Sequence, residues 1–209
     1  MSFELFNTLT AYGDQFCFQL QVDATFVLEE LEKYDKMWTR YNPRKKDNNR
    51  WGLSLTNLDG NLGAGPDLDS LREYNREHNT AITEKDFIVP TPLYSVFENL
   101  CDPIKSSLIR SHVLQLRPGG FFPTHIDNYT TDIESFRLLI PLENMNPRHS
   151  WFMLEDKILT WEYGRVYFLN TCKQHTLFNA GRYNMTMVVF NVLLDKETVE
   201  YILNLTNMY

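Results

Sequence analysis

The 209 residues carry 20 Lys and Arg against 27 Asp and Glu, a formal charge of −7, which excludes a nucleic-acid backbone or an anionic membrane surface as the main partner. With 43% hydrophobic and 14% aromatic residues the chain can bury a substantial core, so it reads as one globular domain and not as a disordered segment. No basic and apolar leader opens the sequence, no apolar run is long enough for a bilayer, and Cys17, Cys101 and Cys172 form no CxxC pair; a soluble, cytoplasmic protein with free thiols is expected.

The first half has the period of helices. Val27, Leu31, Tyr34, Trp38 and Tyr41 recur at steps of four and three behind Asp23, an acceptable N-cap, and predict an amphipathic helix over about 24–40. Arg44-Lys45-Lys46 and then Arg50 lie among Asn and Asp and read as a solvated loop. Residues 51–58 alternate apolar and polar side chains, which predicts a half-buried strand ending at the turn Asp59-Gly60. A second, short helix is expected after Pro66-Asp67, through Leu68, Leu71 and Tyr74. A third begins at Thr91-Pro92, with cap and N1 proline in their preferred order, and turns Leu93, Val96, Phe97 and Leu100 inward until Asp102-Pro103 interrupts it.

From Ser111 onward the pattern becomes β. Residues 111–117, 136–142, 150–154, 165–170 and 182–194 are short runs rich in β-branched and aromatic side chains, separated by Gly-, Pro- and Asn-containing turns. Strands following one another with no helix between them predict an α+β chain: a double-stranded β-helix, or cupin-like jelly roll, over 111–194, behind a mostly helical buttress over 1–110, with a last helix around 196–207 packed outside.

His125-Ile126-Asp127 follows the turn Arg117-Pro118-Gly119-Gly120 and is answered by His175 near a β-like run. In an extended segment, residues i and i+2 point to the same side, so His125 and Asp127 can grip one ion. Two imidazoles and one carboxylate are the protein half of a non-haem Fe(II) site, whose remaining coordination positions admit a bidentate co-substrate and O₂. His-x-Asp alone is weak, since a surface His and Asp in a polar turn would look the same.

Three stretches in order raise its weight: Leu116-Arg-Pro-Gly-Gly-Phe-Phe-Pro-Thr-His125-Ile-Asp127, then Phe136-Arg137-Leu-Leu-Ile-Pro141-Leu-Glu-Asn-Met-Asn-Pro147, then Gly164 through His175-Thr-Leu-Phe-Asn179. Over about 114–192 the chain resembles the aspartyl/asparaginyl β-hydroxylase-like branch of the Fe(II)/2-oxoglutarate oxygenases, which includes small prolyl hydroxylases acting on the free amino acid. The resemblance implies that His125, Asp127 and His175 bind Fe(II), and that 2-oxoglutarate and O₂ are co-substrates in hydroxylating an amino acid, free or in a peptide. It also implies an arginine after the distal histidine that clamps the far carboxylate of 2-oxoglutarate, because a buried carboxylate favours a planar donor fork. Arg182 is the candidate, with Met185 at the position the family favours; a shorter hairpin at Asn179-Ala180-Gly181 would turn Arg182, Asn184 and Thr186 into the cavity as one polar face. Arg137 is retained from the family's Arg-x-His, while Leu139 replaces its His; Arg137 is expected either at a substrate or co-substrate carboxylate or in a strand pair with Glu143. Asn179 is expected to bond the co-substrate or to order the hairpin, and His112 and His149 are taken as structural. Two other readings stay open: a catalytically silent cupin-like module that binds metal or ligand, and a β-sandwich interaction domain with His125 and Asp127 on its surface.

Overall fold

The computed structural model describes residues 2–63, 65–127 and 133–206. Its first part holds α1 (Ser2–Thr10), β1 (Gln15–Gln21), α2 (Ala24–Glu32), β2 (Thr39–Arg40), β3 (Arg50–Ser54), β4 (Thr56–Asn57), α3 (Leu71–His78), β5 (Val89–Pro90) and α4 (Glu98–Cys101). Then follow β6 (Leu108–Leu116), β7 (Phe121–His125), β8 (Ser135–Glu143), β9 (Ser150–Leu154), β10 (Lys157–Ile158), β11 (Arg165–Leu169), β12 (His175–Asn179), β13 (Met185–Leu193) and α5 (Lys196–Leu203). Among the described residues no helix is long and apolar enough to cross a membrane.

From β6 onward the chain crosses back and forth between two antiparallel sheets. The larger has the order β1-β11-β8-β13-β6-β3-β2 and the smaller β10-β9-β12-β7, the arrangement of a double-stranded β-helix. Along the central strands of the larger sheet nearly every residue is buried, because both faces are covered. In β13, Val188, Phe190 and Val192 enter a core shared with Phe6, Leu9, Val27, Leu31, Phe97 and Val199 of the helical layer. Met185 and Met187 alternate to the other face and join Leu114, Leu139, Phe152, Leu177 and Tyr167 between the sheets.

The five strands expected over 111–194 fall within about three residues of β6, β8, β9, β11 and β13, while β7, β10 and β12 are additional to them. The first half departs further. The helix expected over 24–40 ends at Glu32, and β2 pairs Thr39 with Gly52 and Arg40 with Trp51. Its apolar spacing is real but serves two conformations: Val27 and Leu31 are buried from the helix, whereas Trp38 enters the core after a 3-10 turn. Around Pro66 the expected helix splits into a 3-10 turn and α3. Thr91 does cap the turn at Pro92–Phe97, its Oγ1 accepting from the Leu93 amide at 3.3 Å, and that turn runs into α4. The segment before residue 110 is therefore more than a helical buttress: β1, β2 and β3 extend the larger sheet on both edges. Asp195 caps α5, accepting from the Thr198 amide at 2.8 Å; residue 207, in the helix expected over 196–207, lies outside the described residues.

Candidate metal centre

His125 closes β7 and His175 opens β12, and the antiparallel register places the two directly opposite each other. Asp127 follows just beyond β7, where its amide donates to the Thr171 carbonyl at 3.0 Å. The Nε2 atoms of His125 and His175 stand 3.5 and 3.8 Å from the same Asp127 Oδ1. Two atoms each about 2.1 Å from one ion are at most about 4.2 Å apart, a limit that both His–Asp distances meet, and all three ligand atoms lie within 4.8 Å of one another, near enough to converge on one metal. Among the described residues this is the one group of three or more His, Cys, Asp or Glu side chains close enough to do so.

Each imidazole is aimed from behind. His125 Nδ1 lies 2.7 Å from the Pro123 carbonyl and His175 Nδ1 3.0 Å from the Lys173 carbonyl, so each Nδ1–H donates backwards and presents the Nε2 lone pair forwards. Burial lowers the pKa of His175 and favours the neutral form a metal needs. At His125 burial acts in the same sense, but the Asp127 carboxylate and the Pro123 carbonyl outweigh it and raise the pKa. Burial also opposes ionisation of Asp127, yet His125 and the positive charge of Arg137 hold it well below the usual carboxylate range.

Arg137 reaches the centre through Asp127. Its Nε is 3.4 Å from Asp127 Oδ2, and its Nη2 is 3.3 Å from Glu84 Oε2; Arg110 Nη1 meets the other Glu84 oxygen, also at 3.3 Å. Asp127 thus turns one oxygen to the histidines and the other to a cation. The expected alternative partner of Arg137, Glu143, is on the opposite face of the sheet, where it accepts from Thr186 at 2.6 Å.

The other two expected cofactor residues are not brought to the centre. Arg182 is exposed in the turn before β13 and does not line the cavity. The expectation took the polar face of this strand to point inward; the roll's deep interior is apolar, so Met185 and Met187 face it, and Thr186 faces Glu143. Asn179 is fully buried and orders the hairpin: Nδ2 donates to the Leu116 and Tyr183 carbonyls, while Oδ1 accepts from the Gly181 amide.

Sequence reasoning missed His112, Arg110, Glu84 and Asn191, all of which line the cavity. His112 Nδ1 and Asn191 Oδ1 are buried there without a hydrogen-bond partner among the described residues. Burial, helped by Arg110 and Arg137, pushes the His112 pKa down to about 3, so its ring is neutral at physiological pH. Arg110 lies one residue before the strand expected over 111–117; β6 in fact begins at Leu108, and the two-residue step then puts Arg110 and His112 on one face. Glu84 arrives from a 3-10 turn in a segment the motifs do not describe.

A crystal structure of a Pseudomonas putida prolyl-4-hydroxylase aligns with this chain at a TM-score of 0.50 and 14% identity, covering 92% of this chain and 98% of that one. An oxidoreductase of the 2OG-Fe(II) oxygenase family from Burkholderia pseudomallei aligns at 0.47 and 11%, covering 80% of each chain. A cupin domain from Bordetella pertussis Tohama I aligns at 0.32 and 12%, covering 41% of this chain and 81% of that one. The likeness is one of fold, the jelly roll already evident in the strand order. No family profile matches the chain, and neither does any curated protein.

Proposed function

We propose that the chain is an Fe(II)- and 2-oxoglutarate-dependent dioxygenase that hydroxylates an amino acid, free or within a peptide, in the manner of the aspartyl/asparaginyl β-hydroxylase-like branch. The observation that carries this reading is the facial set His125, Asp127 and His175 beside a cavity, with both Nε2 atoms aimed at one carboxylate oxygen. Iron held there would supply O₂ activation, with 2-oxoglutarate as the co-substrate that leaves as succinate and CO₂. The chain's own part is positioning. Arg137 fixes the Asp127 carboxylate, the backbone carbonyls of Pro123 and Lys173 fix the imidazoles, and Leu114, Leu139, Phe152, Leu177 and Met187 keep water from the deep end of the cavity. Neutral His112 offers an uncharged hydrogen-bonding atom to whatever lies against the metal ligands.

One observation favours the second reading, a cupin-like module that binds metal or ligand without turnover: Arg182 is outside the cavity, and Arg137 is already paired. Succinate formation from 2-oxoglutarate separates the two. With Fe(II) and O₂ we expect slow uncoupled succinate formation, stimulated by at least one member of a panel of amino acids and peptides. Metal binding with no consumption of 2-oxoglutarate under any of these conditions would favour the silent module.

A further inference from the structure

Arg50 begins β3 and sits opposite Leu116 of β6, which turns its side chain to the same face of the sheet as Leu114 and His112. It is only 6% exposed, although its neighbours in sequence are lysines and asparagines. Among the described residues no carboxylate pairs with it, and its Nε is buried without a hydrogen-bond partner. The other arginines here are neutralised: Arg110 by Glu84, Arg137 by Glu84 and Asp127, and Arg44 by Asp69 and Glu77. Two rings hold the guanidinium, its Cζ lying 4.1 Å from the centroid of Phe122 and 5.6 Å from that of Tyr41. Cation–π contact of this kind offsets part of the desolvation of a buried charge but satisfies none of the in-plane N–H donors.

The place of this cation gives it a use. The Phe122 ring that carries Arg50 also stacks on His125, with centroids 5.9 Å apart, so a single aromatic ring separates the guanidinium from a metal ligand. Arg50 lines a groove whose walls include Tyr41, Arg110, His125 and Asp127, all of which also line the cavity. We propose that Arg50 is the carboxylate anchor of this site, receiving the acid group of a small ligand that lies along Phe122 toward the metal ligands. It stands on β3, next to the edge strand of the larger sheet, whereas the residues that β13 turns to the roll interior, Met185, Met187, Val189 and Asn191, include no cation. The inference deepens the oxygenase reading and rests on it for the size of the ligand; the carboxylate belongs either to the dicarboxylate co-substrate or to the amino-acid substrate.

The test is binding to chelator-treated, metal-free protein, so that its outcome is independent of iron and of turnover. Calorimetric titrations and thermal-unfolding shifts are measured with glutarate, a dicarboxylate with no keto group to chelate metal, and with N-acetylglycine, a monocarboxylate, for wild type, Arg50→Gln and Arg50→Lys. We expect at least one probe to bind wild type, to bind Arg50→Gln about thirtyfold more weakly or less, and to bind Arg50→Lys at an intermediate level, since a point charge cannot reproduce the donor fork. Dependence confined to glutarate assigns the anchor to the co-substrate, and dependence confined to N-acetylglycine assigns it to the substrate. Failure of both probes to bind wild type overturns the proposal, as does equal binding by Arg50→Gln. If Arg50→Gln does not fold, unchanged affinity in Arg50→Lys has the same force.

Discussion

Asp127 carries the chemistry of the centre because its two oxygens have different neighbours, the histidines on one side and Arg137 on the other. Arg137→Gln leaves Asp127 and one oxygen of Glu84 without their cation in a half-buried place, and the expected cost is about 2–3 kcal/mol in urea unfolding. A loss below about 1 kcal/mol would mean that the pairing is not what holds the carboxylate in place. Asp67 makes the opposite case. It is 3% exposed, its Oδ2 lacks a hydrogen-bond partner among the described residues, and burial pushes its pKa up to about 6 from an ordinary 3.8. The folded state therefore holds this proton more tightly than the unfolded chain, so its contribution to stability falls as pH rises from about 4 to about 6 and is flat above. Asp67→Asn is expected to match wild type near pH 4 and to exceed it above pH 6 by up to about 3 kcal/mol; a difference that does not change with pH would rule this out. The clustering of His125, Asp127 and His175 was legible in the sequence because residue type, the i, i+2 step and the neighbouring turn all constrain them together. Arg50 was not, because among Lys45, Lys46, Asn48 and Asn49 nothing in composition distinguishes a buried cation from solvated ones.

At the scale of elements, a strand buried on both faces loses the simple alternation that reveals which side is which. Thr186 and Met185 read correctly as opposite faces of β13, but choosing the polar one as the cavity face assumed a polar interior, and this roll has an apolar one. The start of α2 was legible through Asp23 and that of the turn at Pro92 through Thr91, whereas α3 begins at Leu71 without a side-chain cap bond, and the end of α2 was hidden because Trp38 keeps its apolar rhythm after the chain has become extended. The cap at Thr91 joins two elements: its hydroxyl donates to the Ser54 carbonyl at the end of β3, at 2.8 Å, and accepts from the Leu93 amide. Thr91→Val keeps the shape and deletes both bonds in a buried setting, with an expected loss of about 1–2 kcal/mol. Equal stability of the two proteins in urea would show that the turn at Pro92 is held by packing alone.

Taken whole, the molecule packs two cores on the two faces of one sheet. Helices cover the outer face, and the smaller sheet closes the inner one, leaving the candidate metal ligands at the place where β7 and β12 meet. Both histidines belong to the smaller sheet and Arg137 to the larger, so an ion bound by the first and steadied through Asp127 by the second ties the sheets together. Metal at a hundredfold excess over its dissociation constant should stabilise the folded state by about 2.7 kcal/mol, a rise of roughly 5–10 °C in Tm for a chain of this size that a chelator reverses. The central claim is that His125, Asp127 and His175 together hold one ion, and anaerobic equilibrium dialysis with Fe(II) tests it most directly, on wild type and on His125→Ala, Asp127→Ala and His175→Ala shown by circular dichroism to be folded. The expected result is one bound ion per wild-type chain and none per chain in each variant; a folded His175→Ala that keeps its ion with unchanged affinity would contradict the claim.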